Sequence, residues 1–131
     1  MKYFFWFFYK IKIKELIDIL GELGWDLHDV VAEGAYSQFE LDFHYTDLLQ
    51  MADRLVFLKI LLKEVAKKHD MFVTFMPKPT IGDWRSGGHI NFSLNDLNKN
   101  TNVFKDGENW SKNAMHAVGG LLAHSEAITA I

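Results

Sequence analysis

The residues best suited to chemistry lie in a loop, and in the strand predicted to follow it, between positions 75 and 93. Gly82 and Gly87 would let the backbone of this loop come close to a ligand, because glycine carries no side chain. His89, Asn91 and Ser93 then alternate with apolar residues. A strand would therefore present these three polar side chains on one face.

Two single residues of this stretch keep alternative interpretations. Lys78 lies between two prolines, which force the chain to leave a sheet, and it is either a phosphate partner or a solvated lysine. For His89 the residue type alone favours a hydrogen-bonded histidine on a sheet, which is the commoner role of a single imidazole.

Two carboxylates, Glu33 and Glu40, lie seven positions apart, at the end of one predicted strand and on the polar face of the next. Hard divalent cations such as Mg²⁺ or Mn²⁺ bind oxygen ligands of this kind. On residue types alone, two solvated surface glutamates are the better-supported interpretation, because charged residues on strands usually meet water.

The string from 75 to 93 resembles the ATP-binding signature of glutamine synthetases: Lys-Pro, a spacer, a small Gly/Ser-rich loop, then His, three residues and Ser. The matching residues are Lys78, Pro79, Ser86, Gly87, His89 and Ser93. The segment from Glu33 to Glu40 also resembles the family's upstream Glu…Gln-x-Glu element. The likeness extends over roughly residues 11–131.

The resemblance implies that Glu33 and Glu40 bind one active-site metal and that His89 binds a second, which also touches the ATP phosphates. Asn91 and Ser93 would contact the nucleotide. The implied cofactors are ATP and Mg²⁺ or Mn²⁺. In the family's reaction, ATP phosphorylates the side-chain carboxylate of glutamate, and ammonia or another amine then displaces phosphate to form the amide.

The sequence departs from the family where the substrate would be held. Trp84 and Arg85 stand where the family typically has an Asn-Gly pair that holds the substrate glutamate. Val31 and Ala32 stand where it often has two histidines. A reshaped substrate pocket is expected, serving another amine or acid, or belonging to an inactive homologue.

Composition narrows the remaining possibilities. The 131 residues carry 14 basic and 17 acidic side chains and no cysteine. Without a basic excess, nucleic acid is not an expected partner. The lack of cysteine excludes a disulfide framework and is compatible with a reducing cytoplasm, where we expect the protein. No apolar run approaches the roughly 20 residues of a membrane helix.

The elements that would position these residues follow from hydrophobic periodicity. A helix is predicted from Ile11 to Leu23, ending at Gly24, and a long helix capped by Thr46 is expected to be covered on more than one side. Ser111 is predicted to cap a last helix. The strands are expected at 25–32, at 36–43 (half-buried, with Phe39, Leu41 and Phe43 inward), at 72–76 and from 89.

The fold class predicted from these elements and the resemblance is α+β: an antiparallel curved sheet with packed helices, forming an incomplete glutamine-synthetase catalytic domain. Residues 1–10 form an unassigned aromatic segment, and residues 11–131 the partial catalytic domain. An early Glu-x-Glu pair and a later arginine-rich stretch of the family are not found, so a truncated or split gene product is expected.

Three hypotheses follow. The first is a fragment of an ATP-dependent carboxylate-amine ligase with little activity by itself, acting on small molecules and part of a ring homo-oligomer in its full-length context. The second is a catalytically dead homologue that serves as a structural or interaction subunit. The third is an independent small metal- or nucleotide-binding domain.

Overall fold

The computed structural model of this chain describes residues 2–7 and 13–129. The chain divides into two compact units, Met1–Ile90 and Asn91–Ile131. The elements of the first unit are, in order, β1 (Lys2–Phe7), α1 (Ile13–Glu22), β2 (Leu27–Ala32), β3 (Gln38–Phe43), α2 (Leu48–Lys68), β4 (Val73–Thr74) and β5 (Gly88–His89). The mixture of helices with antiparallel strands confirms the predicted α+β class.

The sheet of the first unit has the order β2-β3-β1-β4, with β5 also pairing with β1. All of these pairings are antiparallel. Both β4 and β5 lie along the same edge of β1, because Thr74 pairs with Trp6 and His89 pairs with Lys2. The loop from 75 to 87 leaves this edge, as the two prolines predicted, and the chain then returns to the same edge at β5.

The core of the first unit lies between the sheet and the two helices. α1 contributes Leu16 and Leu20, which are four residues apart and so lie on one helical face. The other buried members are Leu41, Phe43, Leu58, Leu62 and Ala66, from β3 and α2. This packing fixes which face of β3 is apolar and leaves the opposite face for Gln38, Glu40 and Asp42.

Strand β3 is covered on both faces, whereas the alternation of its sequence predicted a half-buried strand. Gln38 and Glu40 are only 2% and 4% exposed, although they lie on the polar face. The half-buried prediction was wrong because a second layer, the loop after β4, meets this face at Gln38. Alternation identifies the two faces of a strand but not what covers them.

The ends of the helices agree with the sequence in part. Gly24 follows α1 with a φ of 67°, as expected of the glycine that ends a helix. Asp47, and not Thr46, caps α2: its carboxylate accepts hydrogen bonds from the backbone N–H groups of Leu49 and Gln50. The hydroxyl of Thr46 instead contacts the side chain of Gln50.

One face of α2 is open, although the sequence predicted cover on more than one side. Val56 is 65% exposed and Ile60 is 54% exposed. The core and the sheet contact only the opposite face, through Leu58 and Leu62. Within the described residues, no helix is both long and apolar enough to cross a membrane.

The second unit consists of two short hairpins followed by helices. Its elements are β6 (Asn95–Asp96), β7 (Thr101–Asn102), β8 (Lys105–Asp106), β9 (Asn109–Trp110), α3 (Lys112–Ala123) and α4 (Ser125–Ile128). Ser111 caps α3 as predicted, accepting a hydrogen bond from the Ala114 N–H. Phe104 is buried and lies in the turn between β7 and β8.

Candidate metal and nucleotide site

Glu33 and Glu40 lie on the same face of the β2–β3 pair. Val31 pairs with Glu40, and the N–H of Glu33 donates to the carbonyl of Gln38 over 2.9 Å, which places Glu33 opposite Gln38. Since alternate residues of a strand share a face, positions 33, 38 and 40 are neighbours on one surface. Diagonal neighbours of this kind lie about 7 Å apart, within reach of a shared cation for two glutamates.

The burial of Glu40 separates the two interpretations of this carboxylate. A solvated surface glutamate would be exposed, but Glu40 is only 4% exposed, and Glu33 is partly buried. An ionised carboxylate is expensive to bury unless it is paired, hydrogen-bonded or bound to a metal. The solvated interpretation is therefore wrong for Glu40.

Gln38 links the two segments that carry the candidate residues. Its side-chain amide donates to the carbonyl oxygen of Arg85 over 3.1 Å and to the Ser86 hydroxyl over 3.4 Å. The loop is itself closed at its base, where the Ser86 N–H donates to the Pro77 carbonyl over 2.7 Å. Segments 47 residues apart in sequence are thus held together beside Glu40.

Trp84 and Gly34 make a second contact between the same two segments. A Cβ atom placed on Gly34 would lie 2.7 Å from the Trp84 indole, closer than side-chain atoms approach one another. The indole therefore rests directly on the backbone of the turn that joins Glu33 to Gln38. Only glycine at position 34 allows this arrangement.

One strand, β1, lies between the strand of His89 and the strand of Glu40. His89 pairs with Lys2 of β1, whose partner on β3 is Asp42, two residues beyond Glu40. Because neighbouring strands are about 4.8 Å apart, two strand spacings separate β5 from β3. The register places position 89 on the same face as position 40 but apart from the Glu33–Glu40 pair.

The strand predicted to continue through Asn91 and Ser93 ends at His89. β5 contains only Gly88 and His89, and the pairing of His89 with Lys2 uses the first residue of β1. Within the described residues, β1 offers no further partner to extend the ladder. Asn91 and Ser93 are exposed and belong to the second unit.

A family comparison decides the ancestry of this chain. Residues 10–131 match the family model described as glutamine synthetase, catalytic domain. The chain belongs to the glutamine synthetase family. It is 37% identical over 122 residues to glutamine synthetase of Rhizobium meliloti (strain 1021) and 38% identical over 122 residues to that of Pyrococcus abyssi (strain GE5 / Orsay).

These comparisons cover the chain more completely than they cover its relatives. The two alignments include 91% and 93% of this chain but only 28% and 27% of the two relatives. The chain thus spans about a quarter of the length of the curated glutamine synthetases that it matches.

Solved structures give the same result for the fold. Apo GmaS without ligand, a gamma-glutamylmethylamide synthetase, matches with a TM-score of 0.89 at 29% identity, covering 99% of this chain and 37% of that chain. A GmaS/ADP complex matches with a TM-score of 0.81 at 26% identity. This confirms the predicted relation to a glutamine-synthetase catalytic domain.

The donors of this glutamine-synthetase-family site suit a hard cation at one position. Glu33 and Glu40 offer carboxylate oxygens from one face, the ligand type that Mg²⁺ and Mn²⁺ take. In the part of the chain that the structure describes, no three His, Cys, Asp or Glu side chains are grouped closely enough to hold one metal ion. The metal roles of Glu33, Glu40 and His89 stay predictions.

Three further candidate residues lie in the loop from 75 to 87. Lys78, Trp84 and Arg85 are all exposed. The guanidinium of Arg85 makes no ion pair or hydrogen bond with any described residue; only its backbone carbonyl is used, by Gln38. Its side chain is therefore available to solvent or to a ligand.

A cavity of ≈ 480 Å³ lies elsewhere, at the carboxyl end of α2. It is lined by Lys63, Lys67, Asp70, Met71, Phe72 and Val73. None of these residues belongs to the candidate site, so the cavity is not assigned to it.

Gln38 and Gly34 have positioning roles that the sequence did not reveal. Gln38 was visible as the glutamine of the Glu…Gln-x-Glu element, yet its contact with the loop depends on tertiary structure. Gly34 was visible only as a turn glycine. Its constraint comes from Trp84, 50 residues later in the chain.

Proposed function

We propose that this chain is the metal- and nucleotide-holding part of the catalytic domain of an ATP-dependent carboxylate-amine ligase of the glutamine synthetase type. The observation that carries the proposal is the pair of hydrogen bonds from Gln38 to Arg85 and Ser86. They hold the loop of the ATP-binding signature against the strand that carries Glu40.

The residues of this chain have distinct roles in the proposed reaction. Glu33 and Glu40 would hold one Mg²⁺ or Mn²⁺ ion, and His89 would hold a second. Asn91 and Ser93 would contact ATP. When bound, the metal ions would neutralise the charge that develops as the γ-phosphoryl group moves to the carboxylate of the acid substrate.

The overall reaction consumes one ATP for each amide bond formed. The carboxylate oxygen of the acid attacks the γ-phosphorus of ATP, giving an acyl phosphate and ADP. The amine nitrogen then attacks the acyl carbon, phosphate leaves and a proton is released. In the reaction of the family these substrates are glutamate and ammonia.

The acid or amine used here is proposed to differ from that common pair. The Trp84 indole rests on Gly34, where the family's Asn-Gly pair would leave space for the substrate. The name of GmaS, gamma-glutamylmethylamide synthetase, describes an amide made with methylamine. This supports an organic amine as a candidate substrate for a site with an aromatic wall.

A catalytically dead structural subunit is the second candidate function. One observation favours it: Trp84 and Arg85 stand where the family has the Asn-Gly pair that holds the substrate. Such a subunit would associate with full-length homologues, which we propose form ring homo-oligomers.

Mg²⁺-dependent binding of ADP to the 131-residue chain tests the site, with isothermal titration calorimetry as the measurement. Glu40→Gln removes the charge but keeps the shape, and it is expected to weaken binding roughly tenfold or more. His89→Ala is expected to weaken binding similarly. The control Glu64→Gln changes an exposed glutamate of α2 and should bind like the wild type.

Equal affinities of Glu40→Gln, His89→Ala and wild type would remove the proposed metal roles. A separate assay distinguishes a ligase from a dead subunit by measuring ATP-dependent hydroxamate formation. The chain is assayed alone and after mixing with a full-length homologue whose own metal-binding glutamate has been replaced. Activity in the mixture supports a ligase, and nucleotide binding without activity supports the dead subunit.

A further inference from the structure

Two histidines outside the candidate site face each other at the edge of the sheet. The Nδ1 atom of His28 lies 3.2 Å from the Nε2 atom of His44, and the ring centroids are 4.6 Å apart. Both residues are exposed. One nitrogen of each imidazole therefore points toward the other in a position that solvent can reach.

A local irregularity of the sheet produces this arrangement. Leu27 pairs with Phe43 and Asp29 with Asp42, so His28 is the extra residue of a bulge in β2. Bulges turn a side chain away from its regular direction. The N–H of His44 donates to the carbonyl of Asp26 over 2.9 Å, which holds the second histidine beside the bulge.

The separation of the two nitrogens lies within the range expected for two ligands of one metal ion. At a metal–nitrogen distance of about 2.05 Å, two ligands are about 2.9 Å apart at a right angle and about 3.3 Å apart at the tetrahedral angle. The observed 3.2 Å lies between these values. The same separation is a hydrogen-bond distance, so a cation bound by both nitrogens would take the place of the proton that they share.

We propose that His28 and His44 bind one late first-row divalent cation, Zn²⁺ or Ni²⁺, with water completing the coordination. Imidazole nitrogens suit these metals, whereas Mg²⁺ prefers oxygen ligands. The neighbouring carboxylates of Asp26 and Asp29 are exposed and add negative charge around the approaching cation. This site is independent of the proposed nucleotide site, which uses other residues and a harder metal.

Calorimetric titration of the 131-residue chain with ZnCl2, NiCl2 and MgCl2 tests the proposal. One Zn²⁺ or Ni²⁺ per chain is expected to bind, and Mg²⁺ should not compete. His28→Ala and His44→Ala should each weaken Zn²⁺ binding by roughly tenfold or more. His116→Ala and His124→Ala change exposed histidines of the second unit and serve as matched controls.

Imidazole NMR spectra provide a readout that does not depend on stability. Zn²⁺ is expected to shift the ring signals of two of the six histidines, and the same two should be lost in His28→Ala and His44→Ala. Equal Zn²⁺ affinity in wild type and His28→Ala, or Zn²⁺-induced shifts at other histidines only, would overturn the proposal. Either result leaves the Mg²⁺–nucleotide experiment unaffected.

Discussion

Single residues hold the turn of one segment against the loop of another. The Trp84 indole packs against the Gly34 backbone, which is possible because position 34 lacks a Cβ atom. The side-chain amide of Gln38 donates a hydrogen bond to the Arg85 carbonyl of the loop. The glycine and the glutamine are in one turn and strand, while their partners are about 50 residues later in sequence. The geometry of the site therefore depends on atoms that do no chemistry themselves.

Gly34→Ala should destabilise the protein by about 1–3 kcal/mol, because the added methyl group overlaps the indole and forces the loop to move. The clash distance is 2.7 Å. Urea unfolding followed by circular dichroism would measure the change in the free energy of unfolding.

Gly34→Ala should cost less stability when it is introduced into Trp84→Ala than when it is introduced into the wild type, because the clashing ring is then absent. Gly87→Ala is the matched control: its new Cβ would meet nothing within 4 Å, so a change within about 0.5 kcal/mol is expected. Additive effects of the two substitutions would contradict the contact.

Helices α1 and α2 contact each other through one carboxylate, in addition to the leucines that both helices contribute to the buried core. Glu15 on α1 accepts hydrogen bonds from Lys68 over 2.5 Å and from His69 over 2.5 Å at the end of α2. The hydrogen bond from Lys68, followed by that from His69, lowers the pKa of Glu15 from 4.5 to about 2. His69 thus both ends α2 and contacts the other helix.

Glu15→Gln is expected to make the free energy of unfolding less dependent on pH between about 2 and 4.5. Because the folded-state pKa of Glu15 lies below its unfolded value, its stabilising effect is complete above about pH 4.5 and is lost as the pH falls to about 2. The stability difference between wild type and variant should therefore shrink over that interval. Thermal unfolding at a series of pH values would measure it.

Glu22→Gln on the same helix provides the comparison. Glu22 is exposed and forms no ion pair with a described residue. Its substitution should give a much smaller change in the pH dependence of unfolding. If the stability difference between wild type and Glu15→Gln stays constant from pH 6 to pH 2, this result would contradict the contact of Glu15 with Lys68 and His69.

At the scale of the molecule, apolar surface remains open where the sequence predicted packing. Val56, Phe57 and Ile60 are exposed on α2, and Met115 and Leu122 are exposed on α3. A Cβ atom placed on Gly119 or Gly120 of α3 would meet nothing within 4 Å. Large exposed apolar patches are uncommon on monomeric soluble proteins.

The 131-residue chain produced alone should bind the apolar dye ANS through this surface. Val56→Glu/Ile60→Glu is expected to lower the ANS fluorescence clearly, because it places charges on the exposed face of α2 without touching the buried leucines. Glu22→Lys changes an exposed residue of another helix, α1, and should leave the fluorescence nearly unchanged. Equal ANS fluorescence of wild type and the double variant would contradict dye binding at the exposed face of α2.

The sequence determined the local elements and the family to which the chain belongs. Periodicity located α1, α2 and α3, and alternation located β2 and β3 and their two faces, because these patterns follow from backbone geometry. The spacing of Glu33, Glu40 and His89 within their motifs was sufficient to indicate the glutamine synthetase catalytic domain. The metal and nucleotide roles of these residues stay predictions.

The tertiary structure decided which segments meet. The aromatic start of the chain had no assignment in the sequence, yet its strand β1 lies between the strand of Glu40 and the strand of His89. The burial of Glu40, the Gly34–Trp84 contact and the His28–His44 pair also required coordinates. Each depends on atoms distant in sequence or on a bulge in the register, and local residue patterns do not encode such contacts.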